Sequence, residues 1–201
     1  MKALGRGSIA SFLHTALSFA WIGLWIAAGA LALGALGYGA LLALIESGLV
    51  DSQILSGGSG EIRLSEGSDF QVSYDEIGGA TWPVVLPALL AGAVAIGGGL
   101  VIVWRLRRLF DSFRSGEPFK LENAHHLRVI WITLLVIELA RYAILGVFGI
   151  LVTAFGLPEG ARANLDLDLN LWNWAEILIL IVLAEIFREG ARLREEQELT
   201  I

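Results

Sequence analysis

The sequence predicts an all-α integral membrane protein, a four-helix transmembrane bundle with a small extracytoplasmic β-sheet cap formed by its two outer loops. Three observations predict it. Of 201 residues, 56% are hydrophobic and only 17% charged, with a mean hydropathy of +0.69, whereas soluble domains run at about 45–50% apolar and about 25% charged. Uncharged or nearly uncharged stretches recur at a length that can cross a hydrocarbon core of about 30 Å, for which roughly 20 apolar residues are needed. Lys and Arg, finally, crowd into alternate connecting segments. The same composition excludes a disordered chain, a basic nucleic-acid-binding domain and most soluble enzymes. The absence of cysteine excludes disulfide frameworks, thiolate zinc sites and cysteine nucleophiles together.

The first span is expected near 17–45. The chain is uncharged from Gly7 to Ile45, longer than one crossing but without a turn that would allow two, so the early part reads as an interfacial lead-in. Lys2 and Arg6 precede it as they would a signal peptide, but a signal's apolar region is only about 7–15 residues long, and cleavage is not expected. The second span, 82–104, is uncharged throughout, with Pro83 and Pro87 in its first turns, where missing amide donors do least harm. The third, 129–155, is interrupted by Glu138 and Arg141. The fourth, 171–187, carries Glu176 and Glu185 and has the weakest apolar signal.

Orientation follows the positive-inside rule. Lys2, Arg6, Arg105, Arg107, Arg108, Arg114, Lys120, Arg128, Arg188, Arg192 and Arg194 fall in the terminal segments and the central loop 105–128, while the outer loops 46–81 and 156–170 hold only Arg63 and Arg162. Both termini, including the tail 188–201, are therefore expected in the cytoplasm. The formal net charge of −6 reflects carboxylates in the outer loops and gives no guide to a partner.

In the first outer loop, Ser56-Gly57-Gly58-Ser59-Gly60 is linker composition. Ile62 and Leu64, then Phe70, Val72 and Tyr74, alternate with polar residues around Glu66-Gly67-Ser68, the pattern of a hairpin. In the second, Leu165, Leu167, Leu169 and Leu171 alternate with Asp166, Asp168 and Asn170. Because a lone hairpin is marginal in water, this run is expected as a third strand, with Asp166 and Asp168 on a solvated face rather than on Ca²⁺.

On the inner side the second span is expected to continue as an amphipathic helix. Leu106, Leu109, Phe110 and Phe113 form an apolar stripe, and Arg105, Arg107, Arg108 and Arg114 are interleaved with it. This suits anionic headgroups or a partner protein, and equally an ordinary span extension. Ser115-Gly116 and Glu117-Pro118 should end it, and Glu122-Asn123 should cap the next helix.

The runs RLFDSFRSGEPFKLENAHHLRVIW and EIFREGARLREEQELTI resemble the two characteristic blocks of a bacterial four-span membrane family known as domain of unknown function 2975. Gly116, Phe119, Asn123, Leu127 and Arg128 match in the first block, and Phe187, Gly190, Leu193, Glu196, Leu199 and Thr200 in the second. Lys120 stands where members often have Ser or Thr, a departure that weakens the helix cap. The resemblance extends over essentially the whole chain. It implies four spans, cytoplasmic ends, no established activity, and a regulatory partner, since members are often encoded beside a Cro/CI-type helix-turn-helix regulator.

The sharpest chemical feature is Glu138 with Arg141, three apart and so on one helical face, at depths of about 15 and 20 Å counted from Arg128. A charge at the bilayer centre costs at least about 2.5 kcal/mol, so such groups pair or face a cavity. Glu176 could join them, giving either a structural ion pair that locks spans three and four or a proton or solute relay. Small residues at four-residue spacing, Ala91, Ala95 and Gly99 on span two and Ala30 and Gly34 on span one, permit close helix approach. Gly97-Gly98-Gly99 lacks the Gly-Lys-Ser/Thr of a phosphate loop. Adjacent His125 and His126 point to different faces, His14 reads as an interfacial donor, and no metal or cofactor is expected. No Ser-His-Asp order suggests hydrolysis.

The chain is therefore expected to be non-enzymatic. It would take part in membrane-linked signalling, contacting a cytoplasmic partner or lipid through Arg105, Arg107, Arg108, Phe110, Phe113 and Arg114, with no direct nucleic-acid binding and with scope for homo-oligomerisation. The alternative is a small solute or proton-coupled transporter, or an immunity-type membrane protein, using Glu138, Arg141 and Glu176.

Overall fold

A computed structural model describes residues 9–51, 60–63, 70–78, 81–114, 120–157, 159–165 and 171–198. Their order is α1 (Ile9–Glu46), β1 (Gly60–Arg63), β2 (Phe70–Gly78), α2 (Trp82–Arg114), α3 (Leu121–Phe155), β3 (Glu159–Leu165) and α4 (Leu171–Glu198). Among the described residues α1, α2 and α3 are long and apolar enough to cross a membrane, which marks a membrane protein. The helix α4 carries Glu176, Glu185 and Arg188 within its apolar stretch.

Each long helix has an identifiable end. Gly48, with φ +74°, follows α1, and the amides of Gly48 and Leu49 bond to the carbonyls of Ile45 and Leu44. This is the pairing of a Schellman motif, whose left-handed residue favours glycine because it has no Cβ. Gly156, φ +79°, ends α3 in the same conformation. At the start of α2 the carbonyl of Thr81 accepts from the amides of Val84 and Val85, and the Thr81 hydroxyl shares a 2.7 Å hydrogen bond with Tyr38. The rings of Pro83 and Pro87 are fully buried.

The helices exceed the expected spans because they continue into the connecting segments. The lead-in to span one is helical from Ile9, and residues 105–114 and 121–128 are turns of α2 and α3 rather than loop. Asn123 does not cap α3. The helix begins at Leu121, the Asn123 amide donates to the carbonyl of Lys120, and its side chain does other work, described below. The expected ends of α2 at Ser115-Gly116 and Glu117-Pro118 lie outside the described residues.

The strands form one antiparallel sheet, order β1-β2-β3. Ile62 pairs with Val72 and Val72 with Ala163; Glu61 pairs with Ser73 and Ser73 with Arg162. Apolar and polar rows thus alternate across all three strands, the period of a half-covered sheet. A register irregularity interrupts β2 between Tyr74 and Gly78. The second loop contributes its strand upstream of the expected place, at Glu159–Leu165. Of the alternating run, Leu165 closes β3, Leu171 opens α4, and residues 166–170 lie outside the described residues, as does most of the glycine-serine linker.

The chain packs as two compact units, one of Met1–Ala27, Ile96–Ile137 and Asn170–Ile201, the other of Ala28–Ala95 and Glu138–Leu169. In the first, Leu109 of α2, Leu127 of α3 and Ala184 of α4 form a buried cluster, with Leu106, Phe113, Trp131 and Phe187 packed against it. In the second, Val84, Ala91, Ile144, Leu145 and Phe148 are buried, and Trp82 meets Phe155 edge to face at 4.7 Å. Much of the remaining apolar surface is exposed, including Phe19, Trp25, Ile26, Leu33 and Leu36 of α1. A helix apolar on every side suits a lipid solvent.

Glycine contacts differ from the expected ladders. Gly99 takes Leu24 of α1, as close packing at that position requires, but Gly34 has open space around it. The tightest approach is at Gly98, where an added Cβ would lie 2.4 Å from Cδ1 and 2.8 Å from Cγ1 of Ile137. A triplet without phosphate-loop character is therefore a helix-packing site.

Candidate functional site

Two places concentrate polar chemistry. The first is built where the end of α2 meets the start of α3. Arg105 donates to Nδ1 of His126 at 3.2 Å, and its guanidinium lies 4.5 Å from the centre of the Trp104 ring. Arg108 approaches the same ring at 5.9 Å, and Arg107 lies 5.9 Å from Trp21 of α1. His14 of α1 sits 3.5 Å from Asp111. Such contacts take cationic heads over aromatic faces, where the ring quadrupole attracts them.

Beneath these groups Asn123, only 1% exposed, donates through Nδ2 to Oγ of Ser112 at 2.8 Å. This cross-helix bond, with Phe113 stacked on Phe187 at 6.0 Å, ties α2, α3 and α4 together. A cavity of about 730 Å³ lies above it, lined among others by Trp104, Arg108, Asp111, Lys120, Glu122 and His126. His126 stands in the first turns of α3, ahead of the uncharged run that begins at Val129. Burial, first, and then the positive charge of Arg105 hold its pKa below the ordinary 6.5; His125 and Arg108 add to this, and Glu122 opposes it. The neutral ring leaves Nδ1 free to accept from Arg105.

The six expected contact residues therefore serve different ends. Arg105, Arg107 and Phe113 are engaged within the unit, and Phe110 packs edge to face on Phe113. Arg108 is exposed. The Arg114 side chain lies outside the described residues. Of the motif residues, Asn123, Leu127 and Phe187 converge in this one place. Arg128, Leu193 and Glu196 are exposed and Gly190 is half-buried, while Gly116, Phe119, Leu199 and Thr200 lie outside the described residues. Glu196 and Glu189 flank Arg192 at 3.5 and 2.8 Å, an exposed ladder of helical ion pairs.

The second place is on α3. Arg141 donates through Nη2 to Oε1 of Glu138 at 2.8 Å. Tyr142 donates its hydroxyl to the same carboxylate oxygen at 3.2 Å and lies equally near the guanidinium. Glu138 is 5% exposed, and the Arg141 side chain is 15% exposed. The pair neutralises itself inside one helix turn, with the phenol as its third member. Glu176, in the other unit, is exposed. Sequence reasoning missed Tyr142, for which the only available signal is its place four residues after Glu138 on the same face; His126 and Trp131 carry no comparable sequence signal. Among the described residues no group of three or more His, Asp and Glu could hold a metal ion.

A family model described as "Protein of unknown function (DUF2975)" matches residues 67–201. The chain belongs to the DUF2975 family. The match contains both blocks on which the resemblance rests, as well as β2, α2, α3, β3 and α4. It does not extend over the whole chain, since α1 and β1 precede it. No curated protein and no solved structure matches the chain. Within the DUF2975 match, the two blocks meet where Phe187 packs against the Leu109–Leu127–Ala184 cluster, 60 residues beyond Leu127 in sequence but adjacent in the fold.

Proposed function

We propose that this protein is a non-enzymatic component of membrane-linked signalling in a bacterial inner membrane. It crosses four times, with both termini in the cytoplasm and the three-stranded sheet outside. The outer sheet receives an envelope signal or ligand, and the basic end formed by α2, α3 and α4 engages a cytoplasmic partner, such as a Cro/CI-type helix-turn-helix regulator.

The observation that carries this reading is the convergence of the two family blocks. Asn123, Leu127 and Phe187 join α2, α3 and α4 in one small hydrophobic unit, which leaves Arg108 and, on the last turns of α4, Arg188, Arg192 and Arg194 exposed beside it. A rigid platform with exposed charge is what a partner interface needs, because prior ordering lowers the entropy cost of binding. As a fourth span, α4 also keeps the basic segments on one side, as the positive-inside rule requires.

The test is co-purification from native membranes, probed for a Cro/CI-type helix-turn-helix protein, comparing the full chain, a chain truncated after Arg188, and Arg108→Glu. Retention by the full chain and loss in at least one variant is expected. Recovery of no regulator with the full chain overturns the reading. A relay through Glu138, Arg141 and Glu176 is the second reading, favoured by an ionised pair deep in α3. It is the weaker, because that pair is nearly sealed, its side chains 15% and 7% exposed.

A further inference from the structure

A groove of about 400 Å³ runs between α3 and α4 and adjoins the cavity beside Trp104, with which it shares Leu121 and His125. Along α3 it is lined by Leu121, Ala124, Arg128 and Trp131, one helical face at spacings of three and four; along α4 it is lined by Ile181, Ala184 and Arg188, again one face. Both faces grade the same way. Arg128 is the last charge on α3 before Glu138, and Arg188 follows the uncharged run of α4 that only Glu185 interrupts. The groove thus has a cationic mouth and an apolar floor.

The charge within it is unbalanced. Glu185 is paired to Arg188, whereas Arg128 is exposed and has no carboxylate partner among the described residues. Trp131 belongs to the buried cluster on its other side, so the floor is held in place by the core. An indole at this depth suits the interface, where an apolar ring and a polar N–H are both accommodated.

We infer that this groove binds the phosphodiester headgroup of an anionic phospholipid, with phosphate at Arg128 and an acyl chain laid over Trp131 and Ile181. A single cation surplus to the internal pair attracts a headgroup with net negative charge. A zwitterionic headgroup brings its own ammonium against Arg128, and a free phosphate leaves the apolar floor uncovered. Basic pockets between spanning helices bind headgroups on this principle. The inference goes beyond the proposed function, since it needs neither a regulator nor a particular orientation, only that α3 and α4 lie in the bilayer together.

The test is native mass spectrometry of the purified full chain, titrated with phosphatidylglycerol, phosphatidylcholine or inorganic phosphate. Phosphatidylglycerol is expected to be retained in preference to phosphatidylcholine. Arg128→Gln should weaken its binding about fivefold, the effect of one basic residue near an anionic surface, and Arg128→Lys should largely restore it. Because Arg128 is exposed and has no carboxylate partner among the described residues, both variants should fold. Arg192→Gln, which removes the same charge outside the groove, should leave binding unchanged. Equal retention of the two lipids, or equal loss in Arg192→Gln, overturns the inference in favour of general electrostatics. Competition by inorganic phosphate at the concentration of the lipid overturns it in favour of a soluble anion.

Discussion

At the scale of single residues, Glu138 shows how a carboxylate becomes tolerable deep in an apolar helix. Its charge is met one turn away by Arg141, and the Tyr142 hydroxyl donates to the same carboxylate oxygen. Removing one member is worse than removing both, because the remaining charge stays buried and unpaired. Arg141→Leu should therefore lower stability by about 3–5 kcal/mol, read as a large fall in thermal unfolding temperature in detergent. The double variant Glu138→Leu with Arg141→Leu should recover most of that loss. Unchanged stability of the single variant would count against the pairing. The i, i+3 spacing made the pair legible in the sequence; the involvement of Tyr142 needed the side-chain geometry. Asn123 was legible only as a polar residue near a helix start. Its real bond, to Ser112 eleven residues earlier, depends on how two helix ends meet.

At the scale of elements, the helices could be anticipated because apolar runs bounded by charges, prolines and glycines specify them locally. Their full lengths could not, because α2 and α3 extend past the apolar boundary on amphipathic turns that stabilise one another through Leu109 and Leu127. The second loop shows a related effect. Leucine–aspartate alternation from Leu165 is a period-two signal, but Leu171 is recruited as the first residue of α4, and β3 instead takes the segment whose register meets β2. Small residues mark helix contacts in the same ambiguous way, since both Gly34 and Gly98 fit a close-packing pattern and only Gly98 has a neighbour against it. Gly98→Ala should destabilise by about 1–3 kcal/mol, the usual cost of overpacking. Ile137→Ala in the same chain should relieve part of it, measured as a coupling energy in a double-mutant cycle of thermal stabilities. Strict additivity would show that the two helices can part at no cost.

For the whole molecule, the composition demands lipid, and the exposed apolar surface of α1 agrees with it. Which side each segment occupies rests on the distribution of Arg and Lys, and the chain's lack of cysteine makes that directly measurable. Single cysteines replacing Asp111 and Glu195 should resist a membrane-impermeant thiol reagent added to intact cells, whereas one replacing Asp51 should react. Reaction at Asp111, or protection at Asp51, would reverse the orientation, and labelling of Glu195 alone would remove α4 as a span. The sequence by itself determined the solvent, the helical segments, the family and the buried charge pair, because each depends on residues close together along the chain. Only the tertiary structure decided that the two family blocks share one hydrophobic cluster, that Gly98 seats Ile137, and that Arg128 stands at the mouth of a groove. Those relations join residues far apart in sequence, and side-chain packing between helices, not local periodicity, sets them.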